Sequence, residues 1–116
     1  MRLPENLIKH AYFSQNGELA WDKVNTLNVI RWATNSAIAT FGIEVWLPTV
    51  PGPTIPMPYF YAFECAPGKD EDWPTFVKRA NGSAASFVAE FKWDSLNVEH
   101  HKKEPYFNLT LGSIPI

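Results

Sequence analysis

The chain opens with apolar positions too closely spaced for more than one or two helical turns, Leu7-Ile8 and then Ala11-Tyr12-Phe13. Ser14-Gln15-Asn16-Gly17 then breaks the segment as a turn. Residues 18–35 carry Ala20, Val24, Leu27, Ile30 and Ala33 at steps of three and four, with Asp22, Lys23, Asn25 and Arg31 on the other face. That spacing predicts an amphipathic helix, ended by Asn35-Ser36.

The period then changes. Over residues 37–47, Phe41, Ile43, Val45 and Leu47 alternate with Thr40, Gly42, Glu44 and Trp46, as in a strand with one buried face. Pro48, Pro51, Pro53 and Pro56 follow; they lack amide donors and fix φ, so residues 48–56 read as a stiff, extended connection. Residues 57–66 alternate again, with Met57, Tyr59, Tyr61, Phe63 and Cys65 set against Phe60, Ala62 and Glu64. Two alternating runs joined by a rigid loop predict an antiparallel pair.

After the turn Pro67-Gly68-Lys69-Asp70 comes the clearest helix signal, over residues 72–91. Asp72 is a good N-cap and Pro74 is tolerated in the first turn. Trp73, Phe76, Val77, Ala80, Ala84, Phe87, Val88 and Phe91 form one apolar stripe. Asn81-Gly82 is expected on the opposite side, with a kink or frayed turn, because glycine costs about 1 kcal/mol relative to alanine there. Residues 92–104 read as a polar connector with a short strand near Trp93, and residues 106–111 as a closing strand in which Phe107, Leu109 and Leu111 share a face.

The order helix, strand, strand, helix, strand predicts an α+β two-layer sandwich. A three- to four-stranded, mainly antiparallel sheet carries two helices packed on one face, which gives the long apolar stripe a flat surface to cover. The 116 residues make a single domain spanning 1–116, long enough to bury roughly two-thirds of its unfolded surface without a disulfide or metal.

Composition sharpens this picture. At 15% the aromatic share exceeds what so small a core hides completely, and the surplus favours contact with a partner or a second copy. A net charge of −2 lacks the basic excess that phosphate neutralisation requires, so no nucleic acid is expected. Cys65 is the only cysteine, the first residues lack a signal peptide's apolar core, and no apolar run approaches a membrane span. These features predict a cytoplasmic protein with no membrane contact.

The chemistry-bearing residues do not converge. His100 and His101 are adjacent, His10 is remote, and there is neither a Cys/His ladder nor a glycine-rich phosphate loop, so no metal, no cofactor and no catalytic residue is assigned. A Cys65–His nucleophile pair is disfavoured because Cys65 shares its strand face with Tyr59, Tyr61 and Phe63. Glu44 and Glu64 sit on the less apolar face with Trp46 and Phe60. Pairing centred on the proline loop sets Glu44 opposite Phe60 and Glu64 opposite Thr40, about 13 Å apart along the strands, beyond the reach of a glycosidase pair. Solvated polar positions are one reading of that face; a docking surface for a basic partner is the other. Asp70-Glu71-Asp72, beside Trp73, complements the macrodipole of the helix it precedes, and offers the same basic partner a second acidic patch.

The residues just described resemble a known family. Ala20-Trp21, the run Ile38-Ala39-Thr40-Phe41-Gly42-Ile43-Glu44-Val45-Trp46, the proline-rich loop, Pro58-Tyr59-Phe60-Tyr61, Asp72-Trp73 with Phe76-Val77-Lys78-Arg79, and Tyr106-Phe107-Asn108-Leu109-Thr110 together are similar to small bacterial immunity proteins of polymorphic toxin systems, in particular the immunity protein 40 family. The resemblance spans nearly the whole chain. It implies a cytoplasmic protein without a reaction of its own, which neutralises a cognate toxin domain by occluding its active site. Trp46, Glu44, Phe60 and Glu64 are then the expected centre of the partner-binding face, with Asp70 and Asp72 beside it. The alternative is a small ligand-binding domain or enzyme with an aromatic pocket near Tyr59, Tyr61 and Trp93; monomer and homodimer both stay open.

Overall fold

A computed structural model of the chain describes residues 2–13, 17–47, 55–56, 62–93 and 104–114. The elements run α1 (Glu5–Ile8), β1 (Tyr12–Phe13), β2 (Leu19–Ala20), α2 (Lys23–Asn35), β3 (Ala39–Leu47), β4 (Ile55–Pro56), β5 (Ala62–Glu64), α3 (Trp73–Glu90) and β6 (Tyr106–Gly112). The expected α+β sandwich forms. β3 is central, pairing antiparallel with β6 along one edge and with β4 and β5 along the other. The helices lie on the side to which Ile43, Val45 and Phe107 point, where these residues meet Ile30 of α2 and Ala84 and Val88 of α3. Ala39 meets Phe76, Val77 and Ala80 at one end of the sheet, while Leu7, Trp21 and Val29 seat α1 on α2.

Helix α3 starts and stops close to where its sequence signals place it. The Asp72 carboxylate accepts the Thr75 amide at 2.8 Å, and Phe91 is the C-cap. Lys23, from the first turn of α2, donates to the carbonyls of Ala89 and Phe91 at 3.3 and 3.2 Å, placing a cation at the negative end of α3. The helix runs unbroken through Asn81-Gly82, and Asn81 faces the core instead of solvent, at 2% exposure. Its carboxamide explains this. Oδ1 accepts the Thr40 amide at 2.8 Å, while Nδ2 donates to the Ile38 carbonyl and Thr34 Oγ1, both at 2.9 Å. The β3–β6 register slips between Thr40 and Gly42, and a buried amide near such a bulge needs an acceptor from elsewhere.

Helix α2 begins five residues later than periodicity predicts. Leu19 and Ala20 pair with Phe13 and Tyr12, and Trp21 exchanges backbone bonds with Phe107 at 3.0 and 2.7 Å, covering the outer edge of β6. Tyr12-Phe13 is therefore strand, with only Glu5–Ile8 of the first segment helical. Asp22 caps α2 by accepting the Asn25 amide at 2.8 Å. The buried stripe is Thr26, Val29, Ile30 and Ala33, so Val24 sits outside it at 67% exposure. Trp93 is buried edge-on against Phe91, with ring centroids 5.1 Å apart, and is not in a strand. The proline loop over 48–54, Tyr59, Phe60 and Tyr61, and the His100-His101-Lys102-Lys103 cluster lie outside the described residues. Among the described residues, no helix is long and apolar enough to cross a membrane.

Candidate functional site

With Ile43 and Val45 turned toward the helices, strand alternation turns Gly42, Glu44 and Trp46 to the outer face of the sheet. The register places Glu44 opposite Ala62 and Glu64 opposite Gly42, two residues away from the expected pairing with Phe60 and Thr40. An even shift keeps both carboxylates on one face. It also brings them to positions only two residues, about 7 Å, apart along the strands, half the expected separation. On the other side of β3, Asn108 lies opposite Glu44 and Thr110 opposite Gly42. The outer face thus reads, across three strands, Glu64–Gly42–Thr110 and Ala62–Glu44–Asn108.

Because Gly42 has no side chain, the face carries a hollow of about 470 Å³ over it, walled by Phe41, Glu64, Cys65, Ala66 and Thr110. Glu64 is exposed and has no polar partner among the described residues. Glu44 is half-buried, with the Trp46 indole N–H 3.5 Å from Oε2, long for a hydrogen bond. Among the described residues no strand carries a lysine or arginine, and Glu44 and Glu64 are the charged strand positions. The hydroxyl of Tyr106 is pushed above its usual range by burial first, and then by Tyr12, Glu104 and Asp22 nearby.

Trp46 does not stand open as expected. It is on the outer side, opposite Pro56 and Tyr106, yet only 1% exposed, and belongs to the packing. Period-two alternation finds a residue's face; it does not report what covers that face. Phe60, the other aromatic anchor expected here, lies outside the described residues.

The acidic turn divides into three different roles. Asp72 is committed to capping α3, and the bonds from Thr75 lower its carboxyl below the usual value. Glu71 pairs with Arg79, whose Nε and Nη2 each donate at 2.8 Å, and it also accepts the Gly68 amide at 2.8 Å. The Arg79 and Gly68 bonds hold Glu71 down at about 2. Arg79 Nη2 further donates to the Ala66 carbonyl at 2.8 Å, Nη1 lies 3.3 Å from Cys65 Sγ, and the guanidinium sits 5.4 Å from the centroid of the Phe76 ring. One arginine thus ties the turn after β5 to α3. Sequence reasoning missed it, since nothing marks a pair eight positions apart with one member outside the helix. Asp70 is exposed, in the left-handed region at φ 65°, and alone of the three acids remains uncommitted.

Cys65 and His10 line different hollows, and among the described residues no group of three His, Cys, Asp or Glu side chains is gathered to hold a metal. Of the six expected partner-binding residues, Glu44 and Glu64 come together on the open face and Asp70 follows Glu64 by one turn. Asp72 and Trp46 serve the fold. Compared with protein-family models, curated proteins and solved structures, the chain matches none.

Proposed function

We propose that this chain is an immunity protein, which binds a cognate bacterial toxin domain in the cytoplasm and blocks its active site by covering it. The observation that carries the reading is the outer sheet face, where Glu44 and Glu64 occupy diagonal neighbouring positions with no basic residue on any described strand to neutralise them. The resemblance noted in the sequence supports the same assignment. Two carboxylates at diagonal positions of adjacent strands concentrate negative charge on one patch, which a cationic partner neutralises. Such a pair steers a basic surface into place and rejects an acidic one.

The hollow over Gly42 offers the partner a recess lined in part by Glu64. A lysine or arginine side chain of the toxin fits that chemistry, its charge against the acid. Trp46, packed on that side at 1% exposure, acts as support and not as a contact. The interaction has no covalent step; neutralisation comes from steric occlusion alone.

Complex formation between the purified chain and its toxin domain, followed by calorimetry across a salt series, tests this reading. Affinity is expected to fall steeply with salt in the wild type and less steeply in Glu44→Gln and Glu64→Gln. Salt dependence unchanged by either substitution would remove the outer face from the interface.

A further inference from the structure

A second groove lies on another part of the molecule, between α1 and α2. It has a volume of about 520 Å³, and none of its ten described wall residues is Asp or Glu. Lys9, the C-cap of α1, and Arg31, on α2, both line it. Neither has a carboxylate partner among the described residues, although the chain carries more acids than bases. Asn6, Asn28 and Asn35 also line it, with side chains that bond to no described residue. Asn28, Arg31 and Asn35 stand at i, i+3 and i+7 and so share one helix face, with Trp32 adding a half-buried indole to the wall.

The groove is held in shape. The Trp21 indole donates to the Leu7 carbonyl at 2.8 Å, and Leu7 and Trp21 pack with Val29. This fixes the angle at which the four-residue α1 meets α2. The frame is fixed, while the exposed cations and carboxamides on it become ordered as a ligand binds.

From this wall we infer a ligand site for a nucleoside phosphate, distinct from the outer sheet face. Lys9 and Arg31, without a carboxylate partner among the described residues, select an anion, and phosphate suits both an arginine fork and a lysine point charge. The carboxamides carry paired donors and acceptors that match the edge of a base, and an indole supplies a flat apolar contact. Ligand pockets commonly run to roughly 300–1,000 Å³, a range that includes this groove. A free phosphate takes the carboxamide N–H donors but leaves their acceptor oxygens and Trp32 unused, and a neutral nucleoside leaves Lys9 and Arg31 without an anion.

Isothermal titration of the full chain with ADP, GDP and UDP tests the site, with adenosine, orthophosphate and a polyglutamate peptide as comparison probes. One nucleotide is expected to bind with 1:1 stoichiometry and to quench tryptophan fluorescence. Lys9→Glu and Arg31→Glu, both at exposed positions, should keep the wild-type melting temperature and each weaken that nucleotide by about tenfold or more. Toxin binding should be unchanged in both variants, which separates this site from the proposed immunity function. Absence of saturable binding by all three nucleotides, or equal affinity in the variants, overturns the site. Orthophosphate, adenosine or polyglutamate binding as tightly as the best nucleotide overturns the ligand class.

Discussion

Asn81, in the middle of the longest helix, accepts the backbone amide of Thr40 at 2.8 Å, across the interface between helix and sheet. Its amide nitrogen donates on to Ile38 and Thr34, so one side chain binds α3 to the bulged end of β3 and to α2. Removing it leaves a buried donor and a buried acceptor without partners. Asn81→Ala should therefore cost about 2–4 kcal/mol in urea unfolding, well above an exposed helix substitution.

Thr40 itself supplies the opposite prediction. Its hydroxyl is fully buried and has no hydrogen-bond partner among the described residues, while its methyl lies in a packed site. Thr40→Val keeps the shape and removes the unmatched oxygen, so stability should stay level or rise by up to about 1 kcal/mol. A clear loss on thermal unfolding would show that the hydroxyl is satisfied.

Trp46 tests the difference between a support and a contact. At 1% exposure, its truncation to alanine should cost about 3–5 kcal/mol in denaturant unfolding. Trp46→Phe should fold and bind the toxin with wild-type affinity. A selective loss of binding in a stably folded Trp46→Phe protein would return this residue to the interface.

The Glu71–Arg79 pair predicts an acid limb. Glu71 has its carboxyl lowered from 4.5 to about 2 in the folded protein, so its ion pair adds stability above the unfolded value and loses it as pH falls through the folded one. The gap in stability between wild type and Glu71→Gln should be full above about pH 5 and close between about 4.5 and 2. Asp72, also lowered, leaves the variant a smaller acid dependence of its own. Unfolding curves collected across that range check both statements.

The fold was largely legible because its two strongest signals are local. The Trp73-to-Phe91 stripe and the alternation around Ile43 and Val45 each depend on a few neighbouring residues. What escaped depends on partners far along the chain. Asn81 looks like a helix weakener until the Thr40 amide appears opposite it, and Glu18-to-Trp21 looks helical until Phe107 draws Trp21 alongside. The pairing of Glu44 and Glu64 was read on the correct face with the wrong register, because counting outward from the loop fixes parity more firmly than position. Arg79 gave no signal as the partner of Glu71, and the groove at Lys9 and Arg31 needs a helix contact that no motif announces.

The central claim is that Glu44 and Glu64 hold a basic toxin domain against the outer sheet face. Co-expressing the toxin with either the wild-type chain or the Glu44→Lys/Glu64→Lys double variant, with growth as readout and the complex recovered by affinity tag, tests it directly. The account predicts growth and a stoichiometric complex with the wild type, and both lost with a variant that folds normally. Equal protection by the double variant, or no toxin that the wild-type chain neutralises, would contradict it.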